Sequence, residues 1–169
     1  MTTVQTDKVF EELYRSYSED VFRFVLYLSG DWVLAQDVTS NTFVRAWTAA
    51  VPVEIRTAKT YLFVIARNLY LDAMRRKRPE SSESKERAAA IRLDEDFAAW
   101  QELDQTLADL AQIAEGDRAA LVMAVFEEMS HQEVAVALGV SVGSVKSRIF
   151  RARLRLLELR EERLNRRLV

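Results

Sequence analysis

An all-α fold is what this 169-residue sequence predicts, and three observations carry that expectation. Turn-formers are scarce: four glycines and two prolines are too few for the tight turns of an all-β chain or for a glycine-rich phosphate loop. Charged residues make up 30% of the chain. Apolar residues recur at spacings of three and four along most of its length, the period of amphipathic helices. The chain has no cysteine and one histidine, so neither a thiolate zinc site nor a disulfide framework can be built, and no metal or cofactor is expected. No apolar run approaches the roughly 20 residues that span a bilayer, and Met1 to Lys8 is polar, unlike a signal peptide. A soluble chain working in the cytoplasm, with no membrane insertion of its own, is the expectation.

Taken in order, Phe10, Leu13, Tyr17, Val21, Phe24 and Leu28 predict one helix over Val9 to Leu28 that ends at Gly30. Asp31 is placed to cap a second helix, with Ala35, Val38, Thr42, Phe43 and Ala46 inward, before Pro52 interrupts the pattern. A third helix starts near Thr57 and runs to the basic cluster Arg75, Arg76, Lys77 and Arg78, which Pro79 closes. The polar stretch from Pro79 to Ser84 and the acidic run Asp94, Glu95, Asp96 read as a linker. The expected organisation is a domain over 1–78, a linker over 79–98 and a second domain over 99–169. In the second domain Leu103, Leu107, Leu110 and Ile113 mark a helix stopping before Gly116. Asp117 is then expected to cap a helix through Leu121, Val122, Val125 and Phe126.

Ser130-His131-Gln132-Glu133 has the form of a capping box, in which the serine hydroxyl and the glutamate carboxylate each satisfy a backbone N–H of the other residue. The short helix it starts ends at Gly139, and Ser141 caps a longer one. Helix, three-residue turn and helix read as a helix-turn-helix. On the second helix Val145, Ile149, Ala152 and Leu156 share an inward side. Gly143, Lys146, Ser147 and Phe150 lie opposite, with Arg151 at their margin. A phenylalanine beside lysine and serine suits the major groove, where apolar groups meet the thymine methyl and polar ones reach base edges. Arg148, Arg153 and Arg155 sit nearer the flanks, where phosphates lie. An ordinary amphipathic helix with Phe150 packed on a neighbour is the competing reading.

The net charge of −2 conceals segregation. Residues 51–78 sum to +5 and 141–169 to +6, whereas 79–117 hold 11 acidic and 3 basic side chains. Both basic stretches coincide with candidate recognition helices, which favours a phosphate-bearing partner for each. On the third helix Leu62, Ile65, Leu69 and Ala73 form one apolar stripe, and Phe63, Tyr70 and Met74 a second. Tyr61, Asn68 and Arg75, seven residues apart, line another face, with Asp72 alongside and Arg56 and Lys59 upstream. An aromatic ring, an amide and cations in a row suit single-stranded nucleic acid; Tyr61 as half-buried core is the alternative. The second helix carries Val33, Asp37, Ser40, Asn41 and Val44 opposite its core, a surface fit for a partner helix or for solvent. An enzyme is not expected, because His131 lies in a solvated first turn and no carboxylate pair has an acid–base setting.

Three segments then carry a resemblance: Asp37 to Trp47 (DVTSNTFVRAW), Ile65 to Arg76 (IARNLYLDAMRR) and Val142 to Arg153 (VGSVKSRIFRAR). In this order, around an acidic linker, they resemble the hallmark segments of bacterial extracytoplasmic-function sigma factors over nearly the whole chain. The resemblance implies an initiation factor that binds core RNA polymerase and directs it to promoters. Its N-terminal domain is implied to recognise and open the minus-ten element through Arg56, Lys59, Tyr61, Asn68, Asp72 and Arg75, with residues 51–59 as a base-capture loop. Asp37, Ser40, Asn41 and Val44 match the polymerase-docking surface. Ser144, Lys146, Ser147, Arg148, Phe150 and Arg151 match the face that meets the minus-thirty-five element. Ser40-Asn41 stands where the family commonly has a Gln-Glu pair, so an acidic contact is missing. The linker is implied to run toward the RNA exit path; a plain tether is the other reading of its composition. An anti-sigma factor is the implied regulator. A helix-turn-helix regulator that does not join polymerase is the alternative function.

Overall fold

The computed structural model describes residues 3–49, 57–76 and 97–168. Among them are seven α-helices and no strand. The chain divides into two compact units, Met1–Ala90 and Ile91–Val169. Most of the expected linker, residues 79–96, and the candidate Arg56 lie outside the described residues. Phe97 and Ala98 already belong to a helix.

In the first unit, α1 (Thr3–Ser29), α2 (Trp32–Thr48) and α3 (Ala58–Arg76) pack pairwise against one another. The periodicity placed α1 over Val9 to Leu28; the helix begins six residues earlier. Its buried residues Val21, Phe24, Val25 and Leu28 form the centre of the core. Phe24 stacks on Phe63 of α3 with ring centroids 4.6 Å apart and planes 8° from parallel. Aromatic contacts extend the packing outward: Phe10 meets Trp47 edge-on at 4.6 Å, and Tyr14 meets Phe43 at 4.9 Å. Such edge geometries let the positive rim of one ring face the negative face of another.

Gly30 adopts φ +66°, and Asp31 caps α2 by accepting from the Leu34 N–H at 3.0 Å, as the sequence predicts. The buried hydroxyls of Thr39 and Thr42 donate to the carbonyls of Ala35 and Val38, so burial leaves them satisfied. The phenol of Tyr70 donates to the Leu28 carbonyl at 3.3 Å and ties α3 to the end of α1. The core line of α3 departs from expectation. Ala58, Leu62, Phe63, Ala66 and Tyr70 are buried, whereas Ile65, Leu69 and Ala73 are only half-buried. A helix wedged between two others is covered over a wide arc, so neither apolar stripe alone marks its inner face.

The second unit comprises α4 (Phe97–Ala111), α5 (Glu115–Leu121), a π-helical turn (Val122–Phe126), α6 (His131–Leu138) and α7 (Val142–Arg167). Its core draws Leu107, Leu110, Ala119, Leu121, Met123, Val134, Val145 and Ile149 from all of them. Two helix-end expectations are corrected here. α4 stops at Ala111, four residues before Glu115 opens α5, so Gly116 sits inside the first turn of α5 instead of ending a helix. Ala114 occupies the cap position with no side-chain bond, so Asp117 caps nothing. Buried Arg118 donates to the Leu110 carbonyl at 3.2 Å, closing the end of α4 against α5. That tertiary bond sets the boundary where glycine followed by aspartate had mimicked a stop and a start.

Candidate nucleic-acid and partner interfaces

The helix-turn-helix is built as its sequence signals require. The Ser130 N–H donates to Glu133 Oε2 at 2.7 Å and the Glu133 N–H to Ser130 Oγ at 3.2 Å, completing the capping box. Gly139 takes φ +64°, a left-handed conformation that costs glycine little, and Val140 donates back to the Ala135 carbonyl. Ser141 then caps α7 by accepting from the Ser144 N–H at 3.1 Å. These three devices fix where α7 begins and thus which side chains its first turns present.

Val145, Ile149 and Ala152 of α7 are buried, joined farther along by Leu159; Leu156 is half-buried. The opposite side presents Lys146, Ser147 and Phe150, all exposed, with Phe150 at 68%. Phe150 is therefore mostly uncovered within its unit. Ser147 donates to the Gly143 carbonyl at 3.2 Å, leaving its oxygen as an acceptor facing out. Ser144 and Arg148 are half-buried.

Arg151 is exposed but engaged. Its Nε donates to Asp117 Oδ2 at 2.9 Å and its Nη2 to Asp117 Oδ1 at 2.8 Å. The bonded carboxylate raises the guanidinium pKa further above its ordinary range, first by hydrogen bonding and then by charge. Arg155 bonds Glu158 and Gln112, and Arg163 pairs with Asp109 at 2.6 Å, so the later cations of α7 fasten it to α4 and to itself. Beside that fastening a groove of about 430 Å³ is lined by Leu110, Phe126, Leu156 and Leu164 together with Arg160 and Arg167.

In the first unit the candidate single-strand face is partly assembled. Asn68 and Arg75 are exposed, Tyr61 is half-buried, and Arg75 pairs with Asp72 one turn away. Lys59 is turned inward: its Nζ lies 3.1 Å from Asp20 and 5.6 Å from the centroid of the Phe63 ring. On α2, Asp37, Ser40, Asn41 and Val44 are all exposed, Val44 at 58%; Val33 is half-buried. Exposed Trp47, near the end of α2, and exposed Tyr14 of α1, which meets Phe43 of α2, are two aromatic side chains outside the expected set. Their signal was present in the spacing, since Trp47 follows Phe43 by one turn and both meet α1 aromatics. Among the described residues no acidic, histidine or cysteine cluster could hold a metal, and no helix is long and apolar enough to cross a membrane.

Comparison with known proteins accounts for both units. Residues 13–80 match the family model for sigma-70 region 2, and residues 104–156 that for sigma-70 region 4. The ECF RNA polymerase sigma factor SigM of Bacillus subtilis (strain 168) is 29% identical over 152 residues, covering 88% of this chain and 93% of SigM. SigC of Mycobacterium tuberculosis (strain CDC 1551 / Oshkosh), also an ECF RNA polymerase sigma factor, is 32% identical over 149 residues, 86% of this chain and 80% of SigC. Among solved structures, CnrH in complex with the cytosolic domain of CnrY superposes with a TM-score of 0.72 at 26% identity, covering 92% of this chain and 90% of that one.

The two matched regions define a sigma-70-type architecture with a helix-turn-helix in its second unit. The chain belongs to the ECF RNA polymerase sigma factors. It is thus a transcription initiation factor and not an enzyme.

Proposed function

We propose that the chain joins core RNA polymerase and brings it to promoters through two DNA contacts made by separate units. α7 enters the major groove of the minus-thirty-five element with Lys146, Ser147, Phe150 and Arg151, while Ser144 and Arg148 flank it. The α3 face of Tyr61, Asn68, Asp72 and Arg75 receives the single strand of the opened minus-ten element, with Arg56 and the rest of segment 51–57 as the base-capture loop, shortened from 51–59 because α3 already begins at Ala58. Lys59, held by Asp20, acts there by bracing the start of α3. The exposed α2 face of Asp37, Ser40, Asn41 and Val44 docks on the polymerase. Such a factor works in the cytoplasm, and an anti-sigma factor is its expected restraint. CnrH, a similar protein, is found in complex with the cytosolic domain of CnrY.

The observation that carries this reading is Phe150, a large apolar side chain exposed between Lys146 and Arg151 on the outer face of a twice-capped helix-turn-helix. Solvent exposure of a phenylalanine has a physical use where a thymine methyl can cover it. The exposed partner face of α2 favours a polymerase-bound factor over a free-standing regulator. Co-elution with core polymerase tests the docking; a chain that elutes alone overturns it. For strand opening, Asn68→Ala is expected to reduce permanganate reactivity of minus-ten thymines at least several-fold with holoenzyme formation unchanged. Undiminished reactivity would remove Asn68 from the melting machinery.

A further inference from the structure

The first turn of α5 holds two residues that meet cations of α7. Gly116 lies inside a helix, where glycine is less favourable than alanine, and its φ is not left-handed. Asp117 sits beyond the cap position and caps nothing. Asp117 suits the positive end of the helix dipole there, and both residues also face α7. A Cβ built on Gly116 would meet the guanidinium of Arg148, with Cζ at 3.2 Å, so the bare backbone makes room for that side chain. Asp117 grips Arg151 with both oxygens. Arg148 and Arg151 are three residues apart and emerge on the same side of α7. One turn of α5 therefore arranges two cations of the recognition helix.

The geometry of the Asp117–Arg151 pair is directional. The Asp117 side chain is sunk, 15% exposed, while that of Arg151 is 57% exposed. The carboxylate occupies the Nε/Nη2 edge of the guanidinium. The remaining edge, Nη1 with the second Nη2 hydrogen, points away from Asp117 because a guanidinium is planar and its donors form a fixed fork. That outer edge is the one that makes end-on bidentate contacts.

We propose that Asp117 is a positioning residue for DNA reading: it locks Arg151 so that its outer edge meets a pair of acceptors, either guanine O6 and N7 or two oxygens of a phosphate, while Gly116 leaves room for Arg148 beside it. The inference rests on the reading of α7 as the helix that enters DNA. Locking removes rotamer freedom before binding and so favours a fixed register over a wandering contact. It also neutralises the charge of Arg151, so attraction to DNA of any sequence is lowered while the geometric contact is kept.

The test uses the full chain assembled with core RNA polymerase and a duplex pool randomised over the upstream element, sequenced before and after selection. If the partner is guanine, Arg151→Ala and Asp117→Asn flatten preference at the same base pair, each roughly tenfold, with other positions unchanged. If it is phosphate, Arg151→Ala weakens binding to all sequences alike, Asp117→Asn does so at high salt, where charge is screened and only placement counts, and no single position changes. In either arm Asp117→Glu restores part of the effect, and for Asp117→Asn the slope of log affinity against log salt steepens by about one as the cation is unmasked. Gly116→Ala, which displaces only the flexible tip of Arg148, is expected to weaken selection without lowering Tm. A purely structural pair would lower Tm and leave base preferences and high-salt affinity as in the wild type, which overturns the proposal. Wild-type selection by Asp117→Asn beside an impaired Arg151→Ala also overturns it, yet leaves the DNA role of Arg151 intact. If Lys146→Ala and Phe150→Ala leave selection unchanged as well, the reading of α7 itself fails.

Discussion

At the scale of single residues, Glu128 is the clearest departure from local preference. It has φ +54° in the turn between the π-helical segment and Ser130, a left-handed conformation that crowds the Cβ of any residue but glycine. The turn is held around it: the Glu127 N–H donates to the Val122 carbonyl and the Met129 N–H to that of Met123. Relieving the Cβ strain is worth about 1–2 kcal/mol, and the extra freedom of glycine in the unfolded chain offsets about half of that. Glu128→Gly is therefore expected to stabilise the protein by up to about 1 kcal/mol, read as a Tm higher by a few degrees. A lowered Tm would mean that the Glu128 side chain contributes more than its backbone costs.

Among the elements, α1 and α3 of the first unit are joined by a fully buried pair of rings. Phe24 is fully buried and stacks on Phe63, also fully buried. Phe24→Ala removes that ring from a site closed on all sides and is expected to cost about 3–5 kcal/mol. Urea unfolding of the full chain checks it, through a fall in the midpoint of the transition that reports the first unit, with the transition of the second unharmed. Elements were legible wherever the signal is local. Asp31, Ser130, Gly139 and Ser141 each bond within three or four residues of themselves, and each stands where the sequence placed it. Illegible were features decided by distant partners. The boundary at α5 depends on Arg118 reaching Leu110, the inner face of α3 on two helices at once, and the inward turn of Lys59 on Asp20, 39 positions earlier. The same division holds at the candidate interface. Exposure of Lys146, Ser147 and Phe150 follows from helical phase alone, but the engagement of Arg151 by Asp117 spans 34 positions and leaves no trace in any window of sequence.

For the whole molecule, charge is arranged by region: an acidic stretch separates two basic ones, and the sum is close to zero. Salt should therefore weaken promoter binding steeply although the chain as a whole is slightly acidic. Arg153, exposed on α7, stands in this view for the cations that act on phosphates. Arg153→Ala is expected to reduce the slope of log affinity against log salt by about one while leaving base preferences unaltered, measured with holoenzyme on duplex DNA. A change in base preference would instead make Arg153 a reader of sequence.

The length of α7 gives its far end an unexpected say in recognition. Lys146 and Arg163 belong to one uninterrupted helix, about 25 Å apart at 1.5 Å per residue, and Arg163 is moored to Asp109. A rod takes its direction from two points: Val145, Ile149 and Ala152 seat the near end in the core and the mooring fixes the far end, so a shift of about 2 Å at Arg163 tilts the whole helix, and the face that carries Lys146 and Phe150, by about 5°. The mooring at Asp109 thus serves as an aiming device for a tip that it never touches.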